Sequence, residues 1–564
     1  MTMVDEMLEP SAEPQTEHVE LRTLGQYLVE SGLVTPVVID YVLQKQAVEQ
    51  GRLGNMLVEL GFVTQKDVAR FLAMQRKLAF LSAEQLVVDD EVLAGFNKNL
   101  CLTHGFLPLR REGQLLHVAL GDADPEAIAD LLRRRHGVEC RFYQAEFDRL
   151  TMAIREHYYF AENPAEKLLT LEIKRLKEDV DRAYSPSKLL DFLIHLAIKE
   201  RATDVHLAPT AGSRTILMRV DGVLRPMMSL PLELDRLISF VKLKADMDVA
   251  EQRLPQDGSF YAEIYDRTYT IRVSTLIAEF GERMVLRLLP ERSDLDRLDD
   301  LGILREDVAI MEKIFSRPHG MILITGPTGS GKSTTLHAAL RMQPVVERNV
   351  ITVEDPVEYR VPAACQTEVN RRAGYDFASA MRHFLRHDPD IIFVGEIRDD
   401  ETARAATDAA STGHLVLSTL HVGGIFGVMS RLSLLGIDSE TIAENLIAVI
   451  NQRLVRRICP ACRDERPATE DEAEWLGVEP GHPLHYGKGC PQCRDIGYQG
   501  RLPVYELLVV DRELADGIAA NLGRKALREL ALSRGMRPIL ELARYRVLSG
   551  ETTVEEIHRA VGEI

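Results

Sequence analysis

Four short apolar runs, each closed by a polar cluster, set the pattern of the chain's second half. Met321–Thr325, Asn349–Val353, Asp390–Val394 and Leu415–Leu420 read as buried strands, and helix-like segments such as Phe377–Leu385 lie between them. Residues 300–455 therefore predict an open α/β sheet whose ligands bind at the carboxyl ends of the strands. Upstream, residues 187–290 mix the two periods. Lys188–Glu200 is amphipathic, whereas Asp204–Leu207, Ile216–Val220, Tyr269–Ser274 and Arg283–Leu288 read as strands, with a turn at Asp221-Gly222. Residues 88–160 predict a smaller α/β piece: a strand Leu115–Leu120, a turn Gly121–Pro125 and a helix over 126–135. Residues 161–186 are charged with weak apolar spacing and predict a helical linker, and residues 1–20 a disordered lead. Residues 505–564 predict a terminal helical region with a capping box at Thr552–Glu555.

A repeat occupies residues 23–75. Thr23-Leu24-Gly25, Leu28, Gly32, Ile39, Leu43 and Gln46 recur, offset by 29 residues, as Arg52-Leu53-Gly54, Leu57, Gly61, Val68, Leu72 and Gln75. Each copy predicts a short helix, a glycine stop and a second helix, with Thr35 and Thr64 as N-caps. The leucines and glycines serve either packing alone or a ligand that approaches the backbone at Gly25 and Gly54, with Arg52 beside it.

The chain of 564 residues is too long for one core and predicts three or four domains. Its net charge of −18 counts against a general nucleic-acid binder. There is no apolar run of membrane-spanning length, and the acidic start MTMVDEMLEP lacks the features of a signal peptide, so a cytoplasmic protein is expected.

The chemistry concentrates at the run ends. Gly326-Pro327-Thr328-Gly329-Ser330-Gly331-Lys332-Ser333 fits the phosphate loop G-x-x-x-x-G-K-[ST], and Thr334 follows it into a helix. Backbone N–H groups and the helix N-terminus would cradle ATP phosphates, Lys332 would reach the β- and γ-phosphates, and the Ser333 hydroxyl would ligate Mg²⁺. Glu396 ends an apolar strand and is expected to hold Mg²⁺, directly or through water. Glu358 is the choice for the general base, although the two carboxylates could exchange roles. Among the arginines of the middle region, Arg219, Arg253, Arg272, Arg283 and Arg287, surface salt bridging competes with an arginine-finger role. Cys459-x-x-Cys462 and Cys490-x-x-Cys493, separated by 27 residues, predict a four-thiolate structural Zn²⁺ site, with free thiols or a redox pair as the alternative.

GPTGSGKST, ITVEDPVEY, DPDIIFVGEIRD and TGHLVLSTLH resemble the Walker A, Asp box, Walker B and His box of the secretion superfamily ATPases, which drive type II secretion and type IV pilus assembly. The resemblance runs from about residue 186 to the C-terminus. It implies a RecA-like motor over 300–564 that includes the zinc module at 459–493, a PAS-like middle domain over 187–295, and an α-helical repeat N-terminal domain within 21–160. It further implies a homohexamer peripheral to the inner membrane that works on a platform protein. By position, His414 and His421 would sense the γ-phosphate, and Arg272 and Arg287 would be the arginine fingers. The repeat (23–46 and 52–75) resembles the cyclic di-GMP-binding domain found in this superfamily, which implies a ligand set of Arg22, Leu24, Gly25, Leu28, Gln46, Arg52, Leu53, Gly54, Leu57 and Gln75. That family's repeat begins with Arg, whereas the first copy here begins with Thr23. Retraction motors usually lack both this domain and the zinc module, so an assembly or secretion motor is favoured. The rivals are a DNA-translocating or conjugative ATPase and a non-catalytic cyclic di-GMP receptor with an inactive ATPase fold. No nucleic-acid polymer is expected as partner.

Overall fold

The computed structural model describes residues 23–49, 51–82, 85–162, 185–230, 235–264, 267–290, 297–343, 347–359, 361 and 364–562. The predicted lead, Arg22 and nearly all of the linker fall outside them. The chain divides into two compact units, Met1–Glu291 and Arg292–Ile564.

The second unit is built on a seven-stranded sheet. Its spatial order is Cys365–Glu368, Val350–Glu354, Ile391–Val394, Leu415–Leu420, Gly320–Thr325, Leu446–Ile458 and Tyr498–Val509. All neighbours are parallel except the last pair. Helices cover both faces, which is why the central strands read as unbroken apolar runs rather than alternating ones. Successive side chains separate to opposite faces. Met321, Leu323, Val353, Val394 and Val416 pack with Met381, Phe384, Ala403 and Ala406 on one side. Ile322, Ile324, Phe393 and Leu417 pack with Met311, Phe315, Leu336 and Leu340 on the other. Truncating one of the Leu, Ile, Met or Phe side chains among these to Ala costs about 2–5 kcal/mol.

Four strand ends in this sheet differ by one residue from the sequence expectation, Gly320 joining its strand and Asp390 falling just outside its own. Asn349 lies just outside its strand, and its side-chain amide donates to the His387 and Asp388 carbonyls. Glu354, by contrast, continues the strand although it is charged. The cysteine module hangs from the long antiparallel pair and contains a hairpin, Arg463–Pro467 with Pro483–Gly487. The terminal cap is shifted by one residue. Thr553, not Thr552, accepts from the Glu556 N–H and starts the helix Val554–Val561. Thr552 instead points inward and donates to the Arg456 carbonyl.

The first unit contains two sheets. A six-stranded antiparallel sheet runs Val223–Leu230, Arg214–Val220, Ala202–Pro209, Gly281–Pro290, Arg267–Ala278 and Gln256–Ile264. Ile216, Met218 and Val220 face the helices Pro186–Lys199 and Asp235–Lys244, while Leu217 and Arg219 alternate onto the other face. The repeat supplies the helices Leu24–Glu30, Pro36–Glu49, Leu53–Glu59 and Gln65–Arg76, and the residues after it form a four-stranded sheet containing Leu115–Leu120 with further helices, Pro125–His136 and Phe147–Glu162 among them. Gly32 and Gly61 both hold positive φ, 70° and 74°, at the helix stops the repeat predicted.

Candidate functional site

The phosphate loop leaves the carboxyl end of Gly320–Thr325 and enters the helix Lys332–Arg341. Its glycines are demanded by two kinds of constraint. Gly326 has φ 144°, and a Cβ there would lie 2.5 Å from the Gln452 carbonyl oxygen and 2.6 Å from Ser330 Oγ. Gly331 has φ 87°, and its Cβ would meet Gln452 Nε2 at 2.7 Å. Gln452 stands on the neighbouring strand and is buried. Its Nε2 donates to the Ser330 carbonyl (2.8 Å), and its Oε1 accepts from Thr335 Oγ1 (3.0 Å). Beside it, Arg453 donates to the Gly423 carbonyl and to Asn451 Oδ1. Sequence reading missed both residues.

Lys332 is buried, and its Nζ donates to the Gly326 and Pro327 carbonyls at 3.0 Å each. Burial pushes the ammonium below its ordinary range. Glu396 opposes that, Arg453 reinforces it, and Glu358 opposes it again. Both carboxylates chosen from the sequence therefore act on this one amine. Glu396 follows the strand Ile391–Val394 and is mostly buried. It accepts from Arg398 and lies 3.1 Å from His421 Nε2. The hydrogen bond from Arg398 to Glu396 raises the guanidinium above its usual value. Glu358 lies exposed in the segment after Val350–Glu354.

His414 does not join this group within the unit. It precedes Leu415, at the amino end of a strand whose carboxyl end carries His421. Six residues of strand span about 20 Å. Its Nδ1 lies 2.9 Å from the Ala409 carbonyl, so the ring ties the end of a helix to the start of the strand.

In the first unit, Arg272 and Arg287 stand directly opposite each other on neighbouring strands, and Arg287 in turn opposes Asp204. Arg287 Nε donates to the buried Asp204 (2.8 Å), and Arg219 approaches the same carboxylate at 3.8 Å. Like charges placed directly across a ladder repel. The carboxylate of Asp204 offsets that repulsion for Arg287.

The repeat residues divide between core and surface. Leu28 and Leu57 are completely buried, and Leu24 and Leu53 pack against them. A Cβ at Gly54 would lie 3.1 Å from Leu24, so this glycine serves close helix packing. Thr23, standing where the second copy has Arg52, caps its helix in a reciprocal box with Gln26. Arg52 is well exposed and lies 3.4 Å from Asp122. Gln46 donates to the Gly51 carbonyl, and Gln75 is exposed.

The four cysteines of the module converge. Their Sγ atoms all lie within 4.8 Å of one another, with separations of 3.9 Å (Cys459–Cys490), 3.6 Å (Cys462–Cys493) and 3.7 Å (Cys490–Cys493). Tetrahedral zinc with Zn–S bonds of ~2.3 Å requires S···S edges of ~3.8 Å, so the donor set fits. Burial pushes Cys459 up to about 11; burial pushes Cys493 up too, but hydrogen bonds from the Gly497 and Cys490 N–H groups and from the Cys462 and Cys490 thiols together bring it down to about 7.

Comparison with known proteins bears on both units. The family model "Type II/IV secretion system protein" matches residues 180–559, and the MshEN domain model matches residues 76–164, immediately after the repeat. The type IV pilus assembly ATPase PilB of Thermus thermophilus is 36% identical over 527 residues. That alignment covers 91% of this chain but 59% of the Thermus protein. Type II secretion system protein E of Pectobacterium carotovorum is 42% identical over 377 residues, 67% of this chain and 76% of that protein. Among solved structures, the Legionella pneumophila ATPase DotB is similar at 23% identity with a TM-score of 0.49, covering 67% of this chain and 96% of that one.

Proposed function

The chain belongs to the Type II/IV secretion system protein family, and from that premise we propose that it is a Mg²⁺-dependent ATPase that powers pilus or pseudopilus assembly. The observation that carries this reading is the convergence on Lys332. A glycine-lined loop holds the amine, and carboxylates from two further strand ends, Glu396 and Glu358, act on it. Phosphoryl transfer to water requires charge neutralisation and a positioned nucleophile more than covalent chemistry. In this reading Lys332 turns from the loop carbonyls to the β- and γ-phosphates. Ser333 and Glu396 hold Mg²⁺, which when bound supplies charge neutralisation at the phosphates. Glu358 orients the attacking water and takes its proton, and His421, through Glu396, registers the occupied state. Arg272 and Arg287 serve as fingers once Arg287 exchanges Asp204 for phosphate.

The working form is a homohexamer on the cytoplasmic face of the inner membrane, acting on a platform protein; no helix among the described residues is long and apolar enough to cross a membrane. The four thiolates hold a structural Zn²⁺ that fixes the module. Cyclic di-GMP regulates through the repeat, with Arg52 as its guanine-facing cation; the MshEN match covers residues 76–164, next to the repeat and not over it. Phosphate release by the purified chain, compared with Glu396→Gln, tests the central reading. The variant should lose nearly all turnover, and equal rates would refute the enzyme. Calorimetric titration of cyclic di-GMP into the full chain should give heat that Arg52→Ala abolishes. No heat at tens of micromolar would leave the repeat with packing alone.

A further inference from the structure

His337 lies one helical turn beyond Ser333 and takes no part in the mechanism above. Its Nδ1 is 2.7 Å from the Ser333 carbonyl, and its Nε2 is 3.0 Å from Glu354 Oε2. Both side chains are 4% exposed. A carbonyl only accepts, so Nδ1 carries a hydrogen. A neutral ring would then aim the Nε2 lone pair at a carboxylate oxygen. A second proton must lie on that line, on the ring or on Glu354.

The contact continues beyond the pair. Glu354 Oε1 accepts from Thr352 Oγ1 (2.8 Å) and from Gln366 Nε2 (2.9 Å). Gln366 also donates to the Tyr359 carbonyl (2.9 Å) and accepts from the Val361 N–H (2.7 Å). The His337 ring meets Tyr359 and Phe393 edge-on, with centroids 5.3 and 5.5 Å away. An unbroken set of buried and part-buried bonds thus runs from the helix that opens at the phosphate loop to the Tyr359 carbonyl and the Val361 N–H, and Tyr359 is the residue next to Glu358.

We propose that His337, Glu354 and Gln366 form a positioning bridge that fixes Glu358 against the phosphate loop. This deepens the proposed function and rests on its assignment of Glu358 as base. None of the three is a catalytic residue, because each acts through the segment it holds. The physical case is one of tolerance. A water-activating carboxylate displaced by ~1 Å can lose on the order of 100-fold in rate. Glu358 itself sits on an exposed segment and takes its placement from what lies beneath it. The bridge touches the phosphate loop only at the Ser333 carbonyl and leaves Lys332, the loop glycines and the Ser333 hydroxyl in place, so its loss should appear in kcat far more than in KM.

The test uses steady-state ATP hydrolysis and thermal melting of the full chain. His337→Phe keeps the ring contacts but breaks both hydrogen bonds, and it leaves Glu354 buried with one partner fewer. The double variant His337→Phe/Glu354→Gln removes that unpaired charge. Gln366→Met cuts the far side of the bridge and leaves the His337–Glu354 pair intact, which keeps the test open if His337→Phe fails to fold. The double variant should melt near the wild type yet lose about tenfold or more in kcat with KM within about twofold, and Gln366→Met should do the same. Recovery of kcat together with melting temperature would make the bridge merely structural and overturn the proposal. So would an unchanged kcat in Gln366→Met. Glu358→Gln separates the two levels. Wild-type turnover in Glu358→Gln sinks the base assignment itself, whereas a dead Glu358→Gln beside a fully active double variant sinks only the bridge.

Discussion

Replacing Gln452 with Leu should loosen the phosphate loop from a strand more than a hundred residues downstream. The amide is buried and makes two bonds, donating to the Ser330 carbonyl and accepting from Thr335 Oγ1. Their loss is unequal. Thr335 Oγ1 can still donate to the Gly331 carbonyl at 3.1 Å, so its hydroxyl is not stranded. The Ser330 carbonyl loses its buried side-chain donor, and Leu offers none. Leaving one such group unsatisfied costs about 1–3 kcal/mol. If that cost falls on the loop conformation that binds phosphate, nucleotide affinity drops by about 5- to 150-fold, since each 1.4 kcal/mol is tenfold. Fluorescent-nucleotide titration measures it, with melting in the absence of nucleotide as the check on the fold. Affinity within twofold of wild type would show that the loop holds its shape without Gln452 and would refute the reasoning.

Three further outcomes follow from the same geometry. Gly331→Ala should abolish nucleotide-dependent stabilisation in a melting assay, because φ 87° and the 2.7 Å approach to Gln452 Nε2 both oppose a Cβ. Metal analysis should find about one zinc per chain, and Cys462→Ser should remove it and lower the unfolding temperature. In the same module, the hydrogen bonds from Arg466 bring the Glu472 carboxyl down to about 2 in the folded state, against an ordinary value of 4.5. A depressed carboxyl stabilises above its unfolded pKa and loses that contribution as pH falls towards the folded one. The stability advantage of wild type over Glu472→Gln should therefore be full above pH ~4.5 and shrink towards pH ~2 in denaturant titrations.

What could be read from the sequence, and what could not, divides along physical lines. The strands Gly320–Thr325 and Leu415–Leu420 were legible because both faces are covered, which favours a run of apolar side chains broken only by the small hydroxyls Thr325, Ser418 and Thr419. The phosphate loop was legible because its glycines answer a local backbone requirement. Gln452 was not, since its role depends on which strand becomes the neighbour of Gly320–Thr325, and no local pattern carries that. The charge of Glu354 predicts a place beyond its strand, yet His337, Thr352 and Gln366 together satisfy it inside the fold. Thr23 and Thr553 illustrate the same point at helix starts, where the direction of a single side chain decides which residue caps. His414 and His421 are close in sequence, yet the strand between them sets them at its opposite ends, and no local pattern carries that separation.

The most direct test of the central claim is a structure of the chain with Mg²⁺ and a non-hydrolysable ATP analogue. The account predicts that Lys332 Nζ leaves the Gly326 and Pro327 carbonyls for phosphate oxygens at about 3 Å, with Glu396 on the metal side and Glu358 facing the terminal phosphate. Nucleotide bound elsewhere, or Lys332 still on those carbonyls with the loop occupied, would contradict it.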